Sequence, residues 1–166
     1  MYNLVDGKNE PFEHMNIVLV EPQIPQNTGS ISRTCAATDT PLHLVEPLGF
    51  EITEKAVRRA GLDYWPHVKL FRHSSWDDYV TSAKPERVWL FSKFGERLYT
   101  TADFGPNDAL IFGSETKGLG QEFLSKYPSE QILRIPIVTE YVRSLNLSNA
   151  VSIALYEARR QLGLDK

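Results

Sequence analysis

The chain has 166 residues, 42% of them hydrophobic and 23% charged, with a formal net charge of −3 and one cysteine. These values fit a folded globular chain of single-domain size and exclude a disordered or fibrous one. A lone cysteine rules out a disulfide framework or a Cys-rich zinc site within one chain. The negative total speaks against indiscriminate coating of nucleic acid, while allowing a local basic site.

Residues 1–14 carry Asp6, Lys8, Glu10 and Glu13 but no apolar signal-peptide core, so they read as a polar leader. Residues 15–166 read as one domain. The longest apolar runs, such as Ile17–Val20 and Ala109–Phe112, fall far short of the ~20 residues that a membrane span needs. The expectation is a soluble protein of the cytoplasm, with no membrane partner.

Asn16–Glu21 is a continuous apolar run that suits a strand buried on both faces. Pro22 and Pro25 end it, and Pro25 can open a helix running to about Thr38, capped by Asn27, Thr28 or Ser30. Pro41–Glu46 reads as a second strand, and Lys55–Ala60 as a short helix closed by Gly61. His67–Phe71 is a third strand candidate. Ser75–Ala83 reads as a helix with Trp76, Tyr79 and Val80 on its apolar face. Arg87–Ser92 and Asp108–Gly113 are strands, Gln121–Tyr127 a short helix and Gln131–Ile137 a last strand. Leu147, Ala150, Val151, Ala154, Leu155, Ala158 and Leu162 recur at helical steps up to Gly163, an amphipathic helix. Strands alternating with helices predict an α/β fold, a mostly parallel sheet flanked by helices.

Three loop segments each follow an expected strand. In Pro25–Arg33, Asn27 and Gly29 lie at a helix start that can hold an anion, and Arg33 can grip phosphate; a capped helix with a solvated arginine fits the same pattern. In Phe112–Gly120, three glycines permit tight turns and close ligand approach, although the segment matches neither phosphate-loop fingerprint nor a nucleophile elbow. Arg143–Asn149 holds more short polar side chains than one helix cap can use, leaving them for a ligand, a strand end or a partner chain. The histidines His14, His43, His67 and His73 show no metal-ligand spacing, and Cys35 reads as an inert buried thiol.

Taken in order, these segments resemble the three motifs of the SpoU branch of the SPOUT RNA methyltransferases. The matching residues are Asn27-x-Gly29-x-x-x-Arg33, then Phe112-Gly113-x-Glu115-x-x-Gly118-Leu119, then Ile135-Pro136-Ile137 with Ser144–Ala150. The resemblance extends from about residue 15 to Gly163 and is nearest to the tRNA wobble-nucleotide (cytidine/uridine) 2′-O-methyltransferases. It implies a homodimer with a C-terminal trefoil knot, S-adenosylmethionine as methyl donor, no metal, and the tRNA anticodon arm as partner. By residue-wise matching it implies donor contacts at Phe91, Gly113, Ile135, Ser144 and Leu145. The same matching implies catalytic roles for Arg33, Asn27, Glu115 and Asn146, and RNA contacts from Arg33, Arg143 and Tyr156. Ser92–Gly95 departs from the small hydroxyl residues common in relatives, and Thr139–Val142 is about one residue longer than usual. An arginine stays protonated in water, so Arg33 fits a grip on the phosphate beside the ribose better than the part of a base. A ribosomal RNA substrate, a non-catalytic RNA- or nucleotide-binding knotted module, and a small-molecule enzyme with a generic α/β nucleotide site are the alternative readings.

Overall fold

The computed structural model describes residues 15–53, 55 and 63–165. The 1–14 leader and all of the expected 55–60 helix except Lys55 lie outside them. Among the described residues, the strands are β1 (Asn16–Val20), β2 (Leu42–Val45), β3 (Leu70–His73), β4 (Val88–Phe91), β5 (Arg97–Leu98), β6 (Ala109–Phe112) and β7 (Ile132–Arg134). They form one seven-stranded sheet in the order β3-β2-β1-β6-β4-β7-β5, and every pairing is parallel.

β1, β2, β4 and β6 are buried along their whole length, the signature of a sheet covered on both faces. Alternate residues serve opposite layers. Ile17 and Leu19 of β1 join Leu110 and Phe112 of β6 under helices α1 (Pro25–Ala37) and α4 (Leu147–Leu162). Val18 and Val20 join Leu90 and Ile111 under α2 (Trp76–Ala83) and α3 (Gln121–Leu124). The α4 stripe is consumed in this packing: Val151, Ala154, Leu155 and Ala158 are fully buried. Thr34 of α1 meets Ser152 of α4 across 3.4 Å, and the Arg159 guanidinium donates to the Thr38 carbonyl at 3.0 Å. Gly163, with φ of 67°, ends α4 in the left-handed conformation that favours glycine.

Several boundaries move. The third strand starts at Leu70 rather than His67, because Trp65–His67 winds into a 3-10 turn around Pro66. On α2 Tyr79 and Ala83 are buried and Trp76 packs partly buried against the same cluster, while Val80 lies 39% exposed. β7 spans only Ile132–Arg134, so Ile135–Ile137 is loop. The two-residue strand β5 has no sequence signal; it pairs at the sheet edge with β7. Cys35 is buried against the sheet, and that burial pushes its thiol pKa up, as an inert thiol requires.

Candidate active site

The carboxyl ends of β4 and β6 and the segments that follow β1 and β7 surround a cavity of 540 Å³. From β1 the chain turns toward β2 and β3, and from β6 toward β7 on the other side, so the cavity lies at the switch point where open α/β sheets bind ligands. Its size falls within the roughly 300–1,000 Å³ of small-molecule sites. The rings of Phe91 and Phe112 stack at its floor with centroids 4.7 Å apart. The 113–120 loop forms one wall, and Ile135, Ile137, Ser144 and Leu145 form another. This combination of flat apolar surface and backbone polar groups fits a nucleoside with a polar tail.

The 113–120 loop owes its shape to glycine. Ser114 and Gly118 exchange backbone hydrogen bonds of 3.3 and 2.9 Å, folding the loop back on itself. A Cβ on Gly113 would sit 2.0 Å from the Gly118 carbonyl carbon and 2.2 Å from the Leu119 nitrogen. Gly113 lines the cavity as expected, but the immediate reason for glycine there is its own loop backbone rather than a ligand's approach.

Glu115 projects from this loop to the start of α1. Its carboxylate accepts the backbone N–H groups of Gln23 at 2.8 Å and Ile24 at 3.0 Å, and the side-chain amide of Asn27 at 3.3 Å. Gln23 and Ile24 stand between Pro22 and Pro25, which have no N–H to give. Partial burial works against the charge, but these hydrogen bonds outweigh it and hold the Glu115 pKa below its ordinary value. The helix start expected to be capped by Asn27, Thr28 or Ser30 is different: the N-cap is Ile24, Pro25 occupies the first turn, and no side chain of α1 caps it. A carboxylate from a distant loop takes that place, favoured by the positive end of the helix.

The third segment joins through Asn146, the N-cap of α4. Its Oδ1 accepts the N–H groups of Ser148 and Asn149, while its Nδ2 donates to Asn27 Oδ1 at 3.0 Å. Asn146, Asn27 and Glu115 therefore make one continuous relay beside the cavity.

Of the residues singled out from sequence, Asn27, Phe91, Gly113, Glu115, Ile135, Ser144, Leu145 and Asn146 all line the cavity. Arg33, Arg143 and Tyr156 are exposed and lie outside its lining. Arg33 places its guanidinium 5.3 Å from the centre of the Tyr64 ring. Tyr156 shares the exposed face of α4 with Asn149, Ile153 and Arg160. The cavity also includes Lys93 and Phe94, and Lys93 lies 5.1 Å over the Phe94 ring. Both belong to Ser92–Gly95, the stretch that departs from the small hydroxyl residues common in relatives, and nothing local in it signals a cavity wall. No group of three or more His, Cys, Asp or Glu among the described residues could hold a metal ion, and no described helix is long and apolar enough to cross a membrane.

A parallel α/β sheet with a crevice beyond the carboxyl ends of its strands is the architecture of open α/β proteins that bind a nucleotide-like ligand. The chain belongs to the SpoU rRNA methylase family, which matches residues 14–156. It is 49% identical over 148 residues to the tRNA (cytidine(34)-2′-O)-methyltransferase of Saccharophagus degradans, covering 89% of this chain and 96% of that one. The Escherichia coli K12 protein of the same name is 45% identical over 149 residues, covering 90% and 94%. A solved structure described as giving insight into 2-OH methylation of C/U34 on tRNA has a TM-score of 0.81 and 46% identity, covering 91% of this chain and 98% of that one. The AdoMet-bound rRNA methyltransferase of Sinorhizobium meliloti has a TM-score of 0.75 and 26% identity, covering 93% and 62%.

Proposed function

We propose that this protein transfers a methyl group from S-adenosylmethionine to the 2′-hydroxyl of the wobble cytidine or uridine of tRNA. The observation that supports this reading best is the meeting of three separated segments at one cavity through the Asn146–Asn27–Glu115 relay. It is reinforced by the 45–49% identity to relatives named for that reaction.

The donor would supply an electrophilic methyl group. Phe91, Gly113, Ile135, Ser144 and Leu145 hold it in the cavity. A ribose hydroxyl is a weak nucleophile, so the protein's main contribution is in-line placement, worth up to ~7–11 kcal/mol in well-oriented systems. Asn27, Glu115 and Asn146 fix the start of α1 against the cavity. One turn and more along that helix, Arg33 grips the phosphate beside the target ribose, and that phosphate or solvent takes the hydroxyl proton. Arg143 and Tyr156 face the anticodon arm.

The reading includes a homodimer, the C-terminal trefoil knot, a single domain over residues 15–166 and a cytoplasmic location. Val138 and Tyr141 are 93% and 95% exposed, and Ile153 and Tyr156 are exposed on α4. The stripe Val151, Ala154, Leu155 and Ala158 is spent in packing inside the chain. Tritiated S-adenosylmethionine and bulk tRNA test the proposal: label is expected in the tRNA, and none in any tRNA preparation would refute it.

A further inference from the structure

Tyr64 makes two contacts with α1 that the site described above does not use. Its hydroxyl donates to the Gly29 carbonyl at 3.0 Å, and its ring lies beneath the Arg33 guanidinium at 5.3 Å. Gly29 and Arg33 are four residues apart, one turn along the same helix face, so a single side chain can reach both. The ring is itself fixed. Tyr64 packs half-buried against the core, and its carbonyl accepts the His67 N–H of the following 3-10 turn at 2.9 Å. Among the described residues no carboxylate is paired with Arg33. Its charge therefore remains available to an anion, while its long side chain would lose freedom on binding one unless something had already oriented it.

We propose that Tyr64 is a positioning residue for Arg33: the hydroxyl anchors the ring to α1, and the ring face presents the guanidinium to the RNA phosphate. The proposal rests on the role given to Arg33 above. A planar guanidinium stacks on an aromatic face and still directs its N–H groups outward, whereas an aliphatic side chain at position 64 offers no such attraction.

The test is steady-state methylation of tRNA by the full-length chain carrying Tyr64→Phe, Tyr64→Leu or Arg33→Ala, with donor affinity and Tm measured on each. Tyr64→Leu is expected to lower kcat about tenfold with KM for tRNA and donor Kd within about twofold of wild type; Tyr64→Phe, which keeps the ring, should stay within about threefold. In single-turnover assays, adding Tyr64→Leu to Arg33→Ala should cost nothing further, because the ring has lost what it positions. A merely structural tyrosine would lower Tm and donor affinity together, and its loss would multiply with that of Arg33. Wild-type kcat in Tyr64→Leu, or multiplying losses, overturns the proposal. Wild-type turnover in Arg33→Ala would instead overturn the role of Arg33 itself.

Discussion

Asn146 donates its side-chain amide to Asn27 Oδ1 at 3.0 Å, joining residues 119 positions apart. The same Asn146 caps α4 with its oxygen, and the same Asn27 donates onward to Glu115. Each asparagine thus uses both ends of its amide. Asn146→Asp keeps a capping oxygen but sets an acceptor against an acceptor, close to a carboxylate. It should cost about 1–3 kcal/mol, a Tm decrease of roughly 2–12 °C for a chain of this size, with a larger proportional loss of methylation. Thermal melts of Asn146→Asp beside Asn146→Ala check this; the aspartate variant should melt no higher than the alanine one at neutral pH.

Two glycines separate loop architecture from surface access. A Cβ on Gly113 would collide with the Gly118 and Leu119 backbone, whereas one on Gly29 would meet nothing within 4 Å. Gly113→Ala should therefore disrupt the 113–120 loop and weaken donor binding at least tenfold. Gly29→Ala should raise stability by about 0.5–1 kcal/mol, the ordinary gain of alanine within a helix. If the open space at Gly29 is where RNA approaches, that more stable variant should turn over more slowly on tRNA at unchanged donor affinity. Calorimetry with donor and melting curves distinguish the two substitutions.

Acid should destabilise the fold through a pair of histidines behind the sheet. His43 on β2 and His73 on β3 share a hydrogen bond of 2.8 Å, one ring nitrogen donating and the other accepting. Burial lowers the pKa of both; His73 adds to the effect at His43, while Asp78 partly opposes it at His73. The unfolded chain, with imidazoles near ~6.5, binds more protons than the folded one below that value. The contribution is therefore fully present above ~6.5 and lost as pH falls toward the lowered folded values. Tm should drop between pH 7.5 and 5.5, and His73→Gln should flatten the slope. An unchanged Tm across that range would contradict the argument.

Arg33→Ala should separate the acceptor side from the donor side. The exposed guanidinium lies outside the cavity lining, so donor affinity should stay within about twofold while methyl transfer falls at least tenfold, in keeping with ~1.5–3 kcal/mol for a charged hydrogen bond. A normally folded variant that binds donor and methylates at the wild-type rate would contradict the assignment.

Much of this was legible in the sequence where one local pattern dominates. The apolar runs gave β1, β2, β4 and β6, and the helical stripe ending at Gly163 matches α4 residue for residue. Eight of the residues selected by family resemblance line one cavity. What escaped depends on contacts between distant parts of the chain. The cap of α1 comes from Glu115, supplied by a loop 91 residues from Ile24, which no local pattern encodes. Tyr64 looks like one more aromatic before Trp65-Pro66 until the fold brings it under Arg33. Prolines did carry an unread signal: Pro22 and Pro25 leave only the Gln23 and Ile24 N–H groups between them, and both are used.

The most direct test of the central claim is mass-spectrometric mapping of ribose methylation in tRNA from cells with and without this gene. The expected result is 2′-O-methylcytidine or 2′-O-methyluridine at the wobble position of some tRNAs, absent without the gene and restored by the wild-type chain but not by Arg33→Ala. Wobble methylation that persists without the gene, or a loss confined to ribosomal RNA, would contradict it.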